Sequence, residues 1–173
     1  MRYVELLRHP DNDGDSLSPE GVAAAEEIGR TSLHPPYTFF ASTGAARAIQ
    51  TAEILRHAAG QDELPILTVS GLRSTVEDRW REAAKAAGEG ADLEDIRAVD
   101  PDLVDTETRL LGQTLREVFD AVPDGGRALV VGHSPTNEAA VLGLTGQVVS
   151  PLGKGEGVLV TETDSRVEVA PLG

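Results

Sequence analysis

Short apolar runs alternate with stretches of helical period along most of this chain, and several of the runs end abruptly in polar, reactive residues. RALVVG at 127–132 is too short for a helix and suits a buried strand; it passes into His133 and then Ser134-Pro135, a helix start. VELLR at 4–8 is a second such run and passes into His9 and Pro10. Ser18-Pro19 pairs an N-cap with proline at the first helical position, and Val22, Ala25 and Ile28 then share one side of a helix to about residue 30. After Pro35-Pro36, residues 37–41 read as a strand, and 44–59 as a helix with Ala45, Ala48, Ile49, Ala52 and Leu55 at helical spacing. Residues 65–69 read as a third short strand. A helix over 74–87 carries Val76, Trp80, Ala83, Ala84 and Ala87 on one stripe. Residues 88–104, rich in Gly, Asp and Pro, read as a loop or lid, and 105–122 as a further helix. At the end, 157–161 and 166–170 form a hairpin turning at Asp164-Ser165. This alternation predicts an α/β fold of three layers: an open, mostly parallel sheet with helices on both faces and an antiparallel edge at the C-terminal end. No repeat or linker divides the chain, so residues 1–173 are expected to form a single domain.

Composition excludes several classes of function. The net charge of −14 argues against nonspecific nucleic-acid or anionic-membrane partners, while leaving room for a phosphorylated small molecule or phosphoprotein held by a few arginines. The absence of cysteine removes disulfides, thiolate metal sites and cysteine nucleophiles. No apolar run approaches the ~18 residues of a membrane span, and no basic region leads into a signal-peptide core, so a cytoplasmic protein is expected.

In parallel α/β folds chemistry sits at the carboxyl ends of the strands. Three of the expected strands deliver reactive residues there: Arg8-His9, then Ser42-Thr43 leading to Arg47 in the first turn of a helix, then His133 before a helix start. Arginines and helix N-termini favour phosphate, and histidine serves as nucleophile or proton donor. Each residue alone reads as an ordinary loop histidine or a solvated arginine. All four at one sheet edge point to phosphate chemistry.

These segments resemble the histidine phosphatase superfamily, the phosphoglycerate mutase-like fold. LLRHP looks like its Arg-His signature. STGAARAIQTAEIL is similar to its Ser/Thr-x-x-x-Arg-Ala-x-Gln-Thr-Ala segment, VVGHSPT resembles the segment carrying its second histidine, and LSPEG resembles the start of its first helix. The matches run in the family's order from residue 4 to 140, and the short chain looks most like the small phosphohistidine phosphatases of the SixA type. The resemblance implies that His9 attacks phosphorus and carries the phosphoryl group. Arg8, Arg47 and His133 hold the phosphate oxygens, with no metal or other cofactor. The chain also lacks a His-x-x-x-His metal spacing. DNDGDS at 11–16 lacks the Gly and Glu positions of a calcium loop and reads as a polar loop bordering the site, from which Asn12 reaches the phosphate. GKGEG at 153–157 lacks the spacing of a P-loop and reads as a turn.

The chain departs from the family at three places. Many relatives carry a general-acid Glu shortly after the third strand, where Ser74 stands here; another branch puts Asp directly after the second histidine, where Ser134 stands. Glu77 and Asp78 are the nearby candidates for the acid, although Ser74-x-x-Glu77 also spells a capping box. Arg73 is a candidate contact for a second anionic group. Without an acid, phosphates with easily departing leaving groups are the expected substrates. Two alternatives share the fold: a catalytically impaired phospholigand-binding or regulatory module, and a phosphoglycerate mutase-type phosphotransferase, although mutases are usually longer and carry the Glu. A purely structural α/β domain fits the four-residue constellation least. The third departure is Pro10, where the family usually has a small residue; proline offers no amide donor there and restricts His9 to extended geometry.

Overall fold

The computed structural model describes residues 1–164 and 166–172. Its centre is a six-stranded sheet in the order β5-β4-β6-β1-β7-β8. The strands are β1 (Arg2–Arg8), β4 (Phe39–Ser42), β5 (Ile66–Thr68), β6 (Arg127–Gly132), β7 (Gly157–Glu162) and β8 (Val167–Pro171). Neighbours among β5, β4, β6 and β1 pair in parallel, whereas β7 is antiparallel to both β1 and β8. The expected α/β class, mostly parallel sheet and antiparallel C-terminal edge are all present. Two-residue strands β2 (Asn12–Asp13) and β3 (Ser16–Leu17) form a separate miniature hairpin within the expected polar loop. Among the described residues, no helix is long and apolar enough to cross a membrane.

Period-two alternation explains the layers. On β1, Val4 and Leu6 face one side and Leu7 the other; on β6, Ala128 and Val130 oppose Leu129 and Val131. One face packs against α1 (Pro19–Thr31) and α2 (Ala46–Ala58), through Ile28, Ala48, Ala52 and Leu55. The other packs against α3 (Glu77–Ala87), α4 (Leu93–Val99), α5 (Pro101–Ala121) and α6 (Thr136–Thr145), through Trp80, Ile96, Leu115 and Ala140 among others. With so few aromatics, close helix approach replaces bulk. A Cβ built on Gly143 of α6 would lie 2.0 Å from the Thr108 carbonyl of α5, and one on Gly112 would lie 2.6 Å from Gly143.

Several expected elements differ. The stretch 88–104 is not a loop or lid: it contains α4 and the first turn of α5. Asp92 and Asp95 form a capping box on α4, Asp100 caps α5 by accepting from Leu103 N–H, and Pro101 occupies the first turn. Leu93, Ile96, Leu103 and Val104 are buried, so the acidic and proline residues act as helix starts rather than loop formers. The helix expected over 74–87 begins only at Glu77, after a 3₁₀ turn at Ser70–Leu72. The capping box expected from Ser74 and Glu77 does not form. Ser74 Oγ instead donates to the buried Glu107 carboxylate, and Glu77 accepts from Arg73 Nε at 2.7 Å. The expected cap at Ser134-Pro135 is replaced too: α6 starts at Thr136 without a side-chain cap. The Ser18 cap does form, accepting from Gly21 N–H at 3.0 Å. The C-terminal hairpin is present; of its expected turn, Ser165 lies outside the described residues.

Because Gly143 lies against α5 backbone, Gly143→Ala should lower folding stability by about 1–3 kcal/mol, read as a reduced midpoint in thermal or denaturant unfolding.

Candidate active site

Sheet register builds the site. Arg8 of β1 lies opposite Gly132 of β6, and Ser42 of β4 lies opposite Val131. One residue further along each strand come His9, His133 and Thr43, which therefore leave the same edge side by side. His9 N–H still donates to the Gly132 carbonyl at 3.2 Å. The two imidazoles meet edge to face with centroids 5.2 Å apart. Arg47, on the first turn of α2, reaches both.

Arginine has donors only, so its contacts fix the histidine tautomers. Arg47 Nε donates to His9 Nε2 at 3.2 Å, and Arg47 Nη2 donates to His133 Nδ1 at 3.4 Å. Each of these ring nitrogens is therefore an unprotonated acceptor. The other nitrogen of His9, Nδ1–H, donates to the Pro10 carbonyl at 2.8 Å. That of His133, Nε2–H, donates to Thr43 Oγ1 at 2.8 Å. Burial pushes the His9 pKa down, and the charges of Arg47, Arg8 and Lys154 add to that, against the Pro10 carbonyl. His133 is pushed down to about 3, by burial first and then by Arg47 and His9. Both imidazoles are neutral, and the free lone pair of His9 is on Nε2, which faces Arg47.

Arg47 Nη1 pairs with Asp15 at 2.7 Å, at the tip of the β2–β3 hairpin. Burial alone raises Asp15, but the bond from Arg47 and the first amides of α2 outweigh it and hold the carboxyl below its ordinary range. Arg8 is half-buried. Its Nη1 donates to the Leu152 carbonyl at 2.6 Å and its Nε has no protein partner. Burial lowers its pKa, partly offset by Glu138 and Glu156. Arg73 pairs with Glu77 and its charge is felt at His133.

A cleft of about 290 Å³ opens from this cluster, with Arg47, His133, Ser74, Trp80 and Ser134 in its walls. Glu77 and Arg81 also border it, but Asp78 does not. The candidate acid Asp78 is 92% exposed and paired with Arg81. Asn12 does not join the cluster either; its side-chain amide donates to the Gly14 carbonyl at 2.7 Å and stabilises its own turn. The GKGEG turn proves to be a neighbour of the site: Gly155 N–H donates to the carbonyls of Arg8 and His9, and Lys154 pairs with Asp11 at 2.9 Å. Among the described residues, no group of three or more His, Asp or Glu could hold a metal ion.

The sequence reading missed Asp15, Glu107 and Glu138 as site neighbours. Glu138 alone left a signal, lying one helical turn after Ser134. Ser134 Oγ donates to Glu138 Oε2 at 2.5 Å, and Glu138 is only 3% exposed.

No family model and no curated protein matches this chain. Solved structures do. A phosphoserine phosphatase from Entamoeba histolytica, in complex with 3-phosphoglyceric acid, is similar with a TM-score of 0.75 at 14% identity, covering 100% of this chain and 98% of that one. A phosphoglycerate mutase from Bacillus anthracis gives 0.73 at 19% identity over 98% and 92% of the two chains. A mycobacterial glucosyl-3-phosphoglycerate phosphatase gives 0.64 at 20% identity over 99% and 98%.

The tautomers make a spectroscopic prediction. In a ¹⁵N-NMR titration of the ligand-free protein, the imidazole of His9 should titrate below the ordinary value of 6.5, and that of His133 near 3. As pH falls through 6.5 both rings should therefore stay neutral. A site histidine protonating at or above 6.5 would contradict the assignment.

With its sheet order, its three layers and near-complete overlap with these structures, the chain has the phosphoglycerate mutase-like α/β fold.

Proposed function

We propose that this chain is a metal-independent phosphatase of the histidine phosphatase type, acting on a phosphomonoester or phosphohistidine substrate through a covalent intermediate on His9. The observation that carries this reading is the tautomer of His9: Nδ1–H is pinned on the Pro10 carbonyl and the Nε2 lone pair faces Arg47. That is the form a nucleophilic imidazole needs. The presence of Arg8, His9, Arg47 and His133 at one sheet edge favours an enzyme over an impaired binding module, and Ser74 in place of the Glu that mutases carry favours a phosphatase over a mutase.

Arg47 donates to the nitrogen that must attack, so substrate phosphate has to compete for it. Phosphate oxygens take the guanidinium from His9, His133 and Asp15, and Nε2 is released as the anion arrives. The lone pair of Nε2 then forms the N–P bond as the P–O bond to the leaving group breaks. Developing positive charge on the ring is met by Nδ1–H on the Pro10 carbonyl. Arg8 and Arg47 balance the phosphoryl oxygens, the role a metal ion fills elsewhere. Water attacks phosphorus in the second step, and the N–P bond breaks to restore His9.

Brief incubation with a labelled phosphate monoester should leave acid-labile label on the protein, and His9→Ala should abolish both label and turnover. Pro10→Gly should retain measurable turnover, because the acceptor for Nδ1 is a carbonyl that glycine also carries. Turnover should persist in excess EDTA. Absence of turnover over a panel of small phosphates, nucleotides and phosphohistidine proteins would refute the enzyme reading.

A further inference from the structure

Departure of an alkoxide needs a proton at the leaving oxygen. His9 is the nucleophile. His133 is neutral, with its one N–H on Thr43. Glu77 is tied to Arg73. The cleft wall, however, carries two serines, each backed by a buried glutamate. Ser74 Oγ donates to Glu107 Oε1 and also accepts from Val76 N–H at 3.0 Å, while the same Glu107 oxygen takes Trp80 Nε1–H at 3.0 Å. That pair is committed to holding the wall. The second pair is not. Ser134 Oγ makes its bond to Glu138 Oε2 and is half-open to the cleft, and Glu138 Oε1 has no hydrogen-bond partner although it is buried.

We propose that Ser134 donates the proton to the leaving oxygen and that Glu138 acts through it as the positioning residue that supplies and recovers that proton. The inference rests on the phosphatase reading above. The 2.5 Å contact puts Ser134 Oγ against Glu138 Oε2, so a protonated Glu138 donates to Ser134 Oγ and leaves the serine's own hydroxyl proton free to turn to the cleft. Burial raises the Glu138 carboxyl, against the opposing pull of the Ser134 hydroxyl, the Leu152 amide and the charge of Arg8, so its proton is retained where an exposed glutamate loses it. As the P–O bond breaks, the leaving oxygen takes the Ser134 hydroxyl proton, and Ser134 Oγ takes the proton of Glu138, which becomes carboxylate. In the second step the attacking water gives a proton to Ser134 Oγ, and Ser134 returns its own to Glu138. Phosphoester and water become alcohol and inorganic phosphate, with both side chains restored. The substrate class therefore widens from readily departing phosphates to alkyl phosphomonoesters.

The test compares kcat/KM for β-glycerophosphate, an alkyl ester, with that for p-nitrophenyl phosphate, whose leaving group needs little protonation. In Ser134→Ala and in Glu138→Gln, the alkyl-to-aryl ratio should fall on the order of 100-fold. Glu138→Gln keeps the buried volume and the acceptor for Ser134; unfolding midpoints establish that both variants are folded. Should the glutamine variant not fold, Ser134→Ala alone decides. A ratio left at the wild-type value in a folded variant overturns the proposal while the phosphatase reading stands. A wild-type protein that hydrolyses neither ester and no other phosphate overturns that reading, and the proposal with it.

Discussion

Parallel pairing of β1 with β6 fixes the geometry of everything at the site. Arg8 opposite Gly132 means that the residue after each strand emerges at the same height, and those residues are His9 and His133. A one-residue slip would turn every side chain of β1 to the other face, burying the wrong set and separating the two imidazoles. The apolar alternation of VELL and ALVV, with Val4 and Leu6 on one face and Leu129 and Val131 on the other, forbids that slip. The hydrophobic pattern that stabilises the sheet therefore also sets the chemistry. β4 enters on the far side of β6 and brings Thr43 to His133, and then α2 turns back with Arg47 in its first turn.

Two histidines and two arginines within one buried cluster would repel if the rings were charged. Their neutrality resolves this, and Arg47 enforces it by donating to a ring nitrogen of each. The guanidinium also needs an anion, which Asp15 provides from the rim. Although the whole chain carries −14, the site itself is a local island of cationic donors. Under the proposed mechanism an arriving phosphate would replace one carboxylate and two lone pairs, with much of the desolvation of Arg47 already complete in the ligand-free fold. This favours an anion that meets several donors at once over a simple carboxylate.

The sheet, its order of strands and helices, and the residues at the strand ends were legible because each rests on a local pattern: short apolar runs, Ser18-Pro19, and the polar switch at Arg8-His9. Elements decided by competition were not. Ser74-x-x-Glu77 spells a capping box, yet Glu107, 33 residues away in sequence, takes the serine. Asp92 and Asp100 look like loop residues until Leu93, Ile96, Leu103 and Val104 are seen to be buried behind them as helix faces. Asp15 lies in a polar run whose composition says nothing of Arg47. Asp78 and Asn12, chosen by nearness in sequence, turn instead to Arg81 and to a local turn. Glu138 left only its spacing of one turn after Ser134, and its burial behind that serine is what brings it to the site.

Pro10 looked like a defect because it offers no amide to a phosphate. The structure gives the backbone there another task. The His9 carbonyl accepts from Gly155 N–H at 3.3 Å, the Pro10 carbonyl accepts from His9 Nδ1, and Asp11 is held by Ser18 and Lys154. The strand end is thus clamped by groups that proline keeps, and its fixed φ removes one degree of freedom from the residue whose carbonyl holds the His9 ring. Gly155 makes the clamp possible by turning at φ +80°, a conformation side chains rarely adopt. What this site requires after the histidine is therefore a carbonyl in a fixed direction. Glycine reaches that direction through freedom, and proline through constraint supported by the 153–155 turn.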